Sequence, residues 1–471
     1  MRIWGCIVGA TLACAMGCGS SDPERNWPSE SDPGPVPAYE QREGDPVAGY
    51  NALINAGIVR CGIPLSAYSQ VFGPAPANQR VDGRTGLNET LPYNFTATTT
   101  SSGVDIVSAN CLTCHAEYLN GRLVIGLGNS TSDFTGDDAN LAVLARAFVD
   151  DETEREELEK FIDRLVTIAP YTQMSTRGVN PADNLAAILF AHRDRDTLQW
   201  SYEPLLEPPP MLGVPVDVPP WWRMRNKNAM FYVGAGRGDH ARHMMAASSL
   251  CTDTVEEAED IDRLMPDISA YLKTIEPPVY DGTIDDTLAA QGKETFDAMC
   301  SSCHGTYGDT PTSDDYPNLI VSVDDVGTDQ TLAIGAAFFA DTFVQWYNDS
   351  FFGENGYLAP APGYYAPSLR GIWSTGPFFH NGSVPDIWLV LKSEERPRFW
   401  TRNFDSWDYD MDRLGWRYTE LDHGKGGEPD ERQKTVIYDT SGLGYGNAGH
   451  TYGDRLSDQD RWAVLEYLKT L

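Results

Sequence analysis

Long hydrophobic runs are nearly absent from this chain of 471 residues. The one sustained run, residues 3–16 behind Arg2, is too short to span a bilayer and suits the hydrophobic centre of an export signal. Positive charge is scarce as well, with 35 Lys and Arg against 68 Asp and Glu, a formal net charge of -33. Like charges repel within a Debye length, which argues against nucleic acid or an anionic membrane as a partner. A cationic redox protein is the partner that this charge favours. A phosphate-binding loop is also missing: the Gly-rich run at Gly234 follows no strand pattern and precedes no Walker lysine. Nine cysteines are too few to staple a chain this long as a disulfide scaffold. What remains, at 41% hydrophobic and 11% aromatic residues, is a folded globular protein with room for more than one core.

Small residues close the first run at Ala15-Met16-Gly17-Cys18, which resembles the lipobox of bacterial lipoproteins, where the cysteine becomes the lipidated first residue. The expectation is a signal peptide over 1–17 and lipidation at Cys18, with a simple cleaved signal as the alternative. The product would be a periplasmic or outer-membrane lipoprotein that meets the membrane only through its lipid anchor. Residues 18–48, rich in Ser, Asp, Pro and Gly, read as a flexible tether.

Four of the remaining cysteines fall as Cys111-Leu-Thr-Cys114-His115 and Cys300-Ser-Ser-Cys303-His304. Two thiols about one helical turn apart can reach the two vinyl groups of one porphyrin, and the next residue then points an imidazole at the iron. A redox dithiol or half of a zinc site would show the same two cysteines. No second pair stands at zinc-knuckle distance, however, and export favours covalent haem. Two c-type haems are therefore expected, attached at Cys111, Cys114, Cys300 and Cys303, with His115 and His304 as iron ligands. Cys61 and Cys251 are left over, either as one disulfide or as two buried thiols.

The stretches Ser269-Ala-Tyr-Leu-Lys-Thr-Ile275 and Leu465-Glu-Tyr-Leu-Lys-Thr-Leu471 are near copies, each downstream of a haem motif. Ser457 reads as the N-cap of the second, and Pro277 with Pro278 stops the first. Residues 287–299 read as a helix that delivers Cys300, and residues 140–168 as another. The expected fold is mainly α, with two cytochrome c-like haem domains, residues 49–278 and 279–471, carrying long loops and irregular insertions. The insertion at residues 399–449 shows no clean period and reads as surface loop or small subdomain.

Ala366-Pro-Ser-Leu-Arg-Gly-Ile-Trp-Ser-Thr-Gly-Pro-Phe-Phe-His380-Asn-Gly-Ser-Val-Pro385 resembles the motif of the bacterial dihaem cytochrome c peroxidase superfamily. Its Phe-Phe-His-Asn-Gly-Ser-Val-Pro form, together with the ending Gly449-His450-Thr-Tyr-Gly-Asp, is most similar to the dihaem rubber oxygenase branch. The resemblance covers both haem motifs and most of the second half. It implies that His304 and His450 close the second haem as a low-spin electron-transfer site. His115 would then be proximal at a first haem whose far side is open or weakly occupied, for hydrogen peroxide or dioxygen. Trp221 or Trp222 would stand beside the first haem and carry an electron hole, unless both are packing aromatics. His380 would hydrogen-bond between the haems in preference to ligating iron. The carbonyls of Thr375-Gly-Pro377 would hold a calcium ion between the domains.

His240, His243, Met244 and Met245 are further candidates for a sixth ligand or, alternatively, structural residues. Arg223, Arg225, Arg237 and Arg242 are candidate partners for buried haem propionates. Two functions remain in view: an oxidoreductase reacting with peroxide or dioxygen at the first haem, and a pure electron-transfer cytochrome with both irons six-coordinate.

Overall fold

The structure, a computed structural model, describes residues 32–137, 139–211, 213–338 and 340–471. The expected signal peptide and Cys18 lie outside the described residues. Helix accounts for 41% of the protein and strand for 13%, so the expected mainly α class does not hold. The strands are two to five residues long and form six small sheets among the described residues. Segments this short show too few alternations to register as strands, although Phe95–Thr99 and Asp105–Ala109 are rich in β-branched residues and pair in register around a Ser-Gly turn.

The expected terminal and haem-delivering helices are present as Met265–Leu272, Asp286–Met299 and Asp458–Leu468. Each of the last two is capped by its preceding side chain, Asp285 and Ser457 respectively. Asp286–Met299 crosses Asp458–Leu468 at Gly292, where a Cβ would lie 1.8 Å from the Ala463 carbonyl oxygen. Pro46–Asn55 approaches Met265–Leu272 in the same way through Gly49, whose Cβ would lie 1.9 Å from the Asp267 carbonyl oxygen. The helix expected over 140–168 is broken: Ala139–Leu144 passes through the turn Ala145–Phe148, and a new helix, Glu152–Thr172, starts at the Asp151 cap.

Two large cores form, and they do not divide at residue 278. Trp346, Tyr347, Phe351, Phe352, Leu358 and Tyr364 join the core built on Leu53, Leu112, Trp221 and Leu272. Leu119, Leu127 and Trp222 join the core of Phe296, Trp373, Trp388 and Leu465. The segment expected as flexible up to residue 48 is held from residue 34 onward. Val36 N donates to Asn318 O at 2.8 Å, and Arg42 bonds both Asp239 and Asp262. Residues 399–449 are no mere surface loop, because Trp400 and Tyr438 stack 5.1 Å apart and pack on Met174 and Val179. Cys61 and Cys251 form a disulfide, with Cα atoms 5.6 Å apart, which settles the choice the sequence left open.

Candidate haem sites

Asn110 sets the first motif in place. Its side-chain oxygen accepts from Leu112 N at 2.8 Å, and its amide nitrogen donates to Tyr93 O and Thr96 Oγ1. The turn Cys111–Thr113 thereby presents Cys111 and Cys114, and Asn180 Nδ2 contacts Cys114 Sγ at 3.3 Å. Asn180 is itself fixed by a backbone bridge to Val216. That segment runs on past Pro219, whose carbonyl lies beside the His115 ring, to Trp221, whose indole stacks on His115 at 4.6 Å and 21°. Burial pushes His115 down to about 4, and its Nδ1 has no well-formed hydrogen bond.

The second motif leaves the end of Asp286–Met299. His304 Nδ1 bonds the Pro367 carbonyl at 2.8 Å, which places the proton on Nδ1 and leaves the Nε2 lone pair free for a metal. Tyr307 OH donates to His304 O at 2.7 Å and accepts from Leu369 N at 2.6 Å, tying the motif to the run that begins at Ala366. Across from His304 stands His450, with ring centres 6.2 Å apart. Two imidazoles sharing one metal at about 2 Å from each nitrogen have ring centres about 6 Å apart, so this spacing fits a shared iron. His450 Nδ1 is buried and makes no well-formed hydrogen bond.

His450 is held by unusual backbone. Gly449 has φ 76° and lies against Gly327, leaving no room for a Cβ, while His450 itself has φ 46°. Arg396 bonds the carbonyls of Asn447, Gly449 and His450 on one side and of Leu389 and Val390 on the other. The Phe378–Val384 part of the motif run is a tight hairpin, closed by paired backbone bonds. On it Phe379 meets His450 at 5.9 Å, and Asn381 Nδ2 bonds Gly444 O and Gly446 O in the loop that leads to His450. His380 points elsewhere: it stacks on Tyr364 at 4.0 Å and meets Tyr232 edge-on, with no side-chain hydrogen bond among the described residues. Burial pushes His380 down to about 4, so it is neutral.

The two adjacent tryptophans part company. Trp221 joins the first core on His115, while Trp222 enters the second and donates to Arg370 O at 2.8 Å. Gly376 O accepts from Trp416 Nε1, and the Thr375 hydroxyl accepts from Arg223, so polar atoms of Thr375-Gly-Pro377 already have partners. No cluster of three His, Cys, Asp or Glu suited to a metal ion occurs among the described residues. His243 is structural, bonded to Arg237 O and Tyr347 OH. His240 is 1% exposed, and neither ring nitrogen makes a well-formed hydrogen bond.

Burial raises the Cys111 thiol to about 12 and the Cys300 thiol to about 11. Neither resembles the acidic thiolate of a catalytic dithiol. Pro219, Pro367, Asn381 and Arg396 were not legible as site residues in the sequence. Two of them, Pro219 and Pro367, act through their own backbone carbonyls, which leave no side-chain signature.

Residues 363–401 match the family described as RoxA-like, cytochrome c-like. Two proteins of Sinorhizobium fredii (strain NBRC 101917 / NGR234) are similar over longer stretches. The uncharacterized protein y4iJ is 29% identical over 291 residues, 48% of this chain and 46% of its own length. The uncharacterized protein y4iM is 26% identical over 332 residues, 61% of this chain and 71% of its own length. The chain thus spans about half the length of the first relative. The family match falls on the hairpin that braces the His450 loop, and it supports a RoxA-related cytochrome c with a c-type haem as its cofactor.

Proposed function

We propose that the protein is an exported dihaem c-type cytochrome oxidoreductase, anchored by lipid at Cys18. In this reading the first haem reacts with hydrogen peroxide or dioxygen and the second transfers electrons. The reading rests on one asymmetry: His304 faces a second imidazole, whereas the ring against His115 is an indole, which cannot ligate iron. When bound, the haems would supply reversible one-electron transfer and, at an open coordination position, a place for the oxidant.

The chain's own residues do the rest. Pro367 orients His304, while the Gly449 turn and Arg396 hold His450 opposite it. Trp221 and Trp222 link the two motifs through one peptide bond, and the bond from Trp222 to Arg370 O continues the route to Leu369 N, the Tyr307 hydroxyl and His304 O. His380 packs between Tyr364 and Tyr232. The acidic surface favours a cationic electron partner.

A pure electron carrier is the second reading, and His240 favours it. This buried imidazole lies on the helix His240–Met244, which packs into the core that holds Leu112 and Trp221, and neither of its ring nitrogens makes a well-formed hydrogen bond. Low-temperature electron paramagnetic resonance of the oxidised protein, with haem counted by the pyridine haemochrome assay, separates the two. One high-spin, ligand-accessible haem supports the enzyme and justifies assays for peroxide turnover with reduced cytochrome and oxygen uptake with a polyisoprenoid. Two low-spin haems indifferent to cyanide overturn it, and a high-spin signal gained in His240→Ala then identifies the closing ligand.

A further inference from the structure

Most buried cations of this protein are matched. Arg164 and Arg193 share Asp253, Arg242 meets Asp262, Arg370 meets Asp314, and Arg396 is surrounded by carbonyls. Two cations on the short segment that leaves Trp222 are not. Arg223 is 7% exposed, its Nη2 donates to the neutral Thr375 hydroxyl at 3.1 Å, and its Nε is buried with no partner. The Lys227 ammonium lies 4.9 Å over the Tyr365 ring and has no carboxylate partner among the described residues. The two are close enough to repel one another, and burial with that repulsion pushes Lys227 down to about 8. An unpaired charge in the interior carries a heavy desolvation penalty, and two like charges together compound it.

The nearest acid does not answer them. Asp217 accepts from the Tyr232 hydroxyl at 3.0 Å and makes no ion pair with Arg223, and burial raises its carboxyl to about 8, which disfavours the charge that would pair with a cation. The surroundings of the pair belong to the second motif. Arg223 is near enough to His304 to oppose its protonation and lies among Tyr307 and Tyr316. Tyr365, under Lys227, comes two residues before Pro367, whose carbonyl holds His304.

We propose that Arg223 and Lys227 form the anion subsite for the two propionate carboxylates of the haem joined to Cys300 and Cys303. One buried and one half-buried cation meet two carboxylates, so the charge closes, and guanidinium suits bidentate pairing with a carboxylate. The proposal rests on the dihaem reading. It also gives the segment from Pro219 to Lys227 a double task, since its start touches His115 and its end would anchor the edge of the second haem.

The test uses the haem-loaded full chain, with haem per chain counted first. Spectroelectrochemical titration and resonance Raman spectra of the propionate bending modes are recorded for Arg223→Gln, Lys227→Gln and Arg223→Lys. The second haem is identified as the one whose spectrum changes in His450→Ala. Removing either cation should favour oxidised second haem tenfold or more at a fixed applied potential, shift its propionate modes and leave the first haem alone. Arg223→Lys should restore most of the loss. Two attached haems with unchanged potentials and propionate modes would overturn the subsite, as would a shift confined to the first haem. A wild-type chain carrying fewer than two haems would instead overturn the dihaem reading beneath it. Should Arg223→Gln fail to accumulate, Lys227→Gln and Arg223→Lys decide the matter.

Discussion

Asp217 carries a proton that the unfolded chain would give up. Its carboxyl is raised to about 8 by burial, against about 4 when unfolded. The stability contributed by that proton is fully present below about pH 4 and is lost as pH rises through about pH 8. The slope in that window is on the order of 1 kcal/mol per pH unit. Asp217→Asn should flatten it, so urea unfolding of wild type and variant, compared near pH 5 and near pH 8, should diverge. Equal slopes would show that Asp217 is ionised in the fold. A second residue-scale expectation concerns Trp221, whose indole rests on His115. Trp221→Ala should cost about 3–5 kcal/mol as a core truncation, whereas Trp221→Phe keeps much of the packing and removes the oxidisable indole. If the indole carries the electron between haems, flash-reduction kinetics of Trp221→Phe should slow at least tenfold with both haems still attached. An unchanged rate would leave Trp221 as packing alone.

Helix crossings and one hairpin position the sites. Asp286–Met299 ends on Cys300, so the angle at which it crosses Asp458–Leu468 fixes where the second motif begins. Gly292 allows backbone contact at that crossing. Gly292→Ala should therefore force the helices apart, with a thermal destabilisation of about 1–3 kcal/mol and reduced occupancy of the second haem by pyridine haemochrome. A normal melting temperature and full occupancy would show that the crossing yields easily. The hairpin Phe378–Val384 illustrates a limit of motif reading. The run drew notice because it contains His380, yet in the structure its neighbours Phe379 and Asn381 are the residues that reach His450 and its loop. A hairpin turns successive side chains to opposite sides, and the sequence does not say which side faces the site.

Across the whole molecule, the Cys61–Cys251 disulfide joins two distant stretches of the first core, at a sequence separation of 190. A paired Cys61→Ala, Cys251→Ala variant should lose about 2–5 kcal/mol, read from unfolding curves, and reductant should no longer affect its melting. The net charge of -33 predicts that electron exchange with a cationic partner falls steeply as salt is added, while exchange with a neutral small reductant does not. Equal salt dependence for both would reject electrostatic steering. Residues 34–45 and 399–449 bind across both halves of the chain, so their removal would disturb more than a tether or a loop.

Chemistry that is local in the chain is legible in the order of its residues. The two Cys-x-x-Cys-His motifs need only the geometry of one turn, and capped helices such as Asp458–Leu468 show in their own periodicity. The balance of helix and strand was misjudged because strands of two to five residues take their stability from partners far along the chain. Folding over long range chooses Trp221 over Trp222 as the ring on His115, brings His450 within 6.2 Å of His304, and joins Cys61 to Cys251. Packing also leaves the buried Arg223 and the half-buried Lys227 without an ion-pair partner among the described residues. Each of these is a long-range juxtaposition, or the lack of one, set by how the two cores pack and by which backbone carbonyls are brought to which side chain.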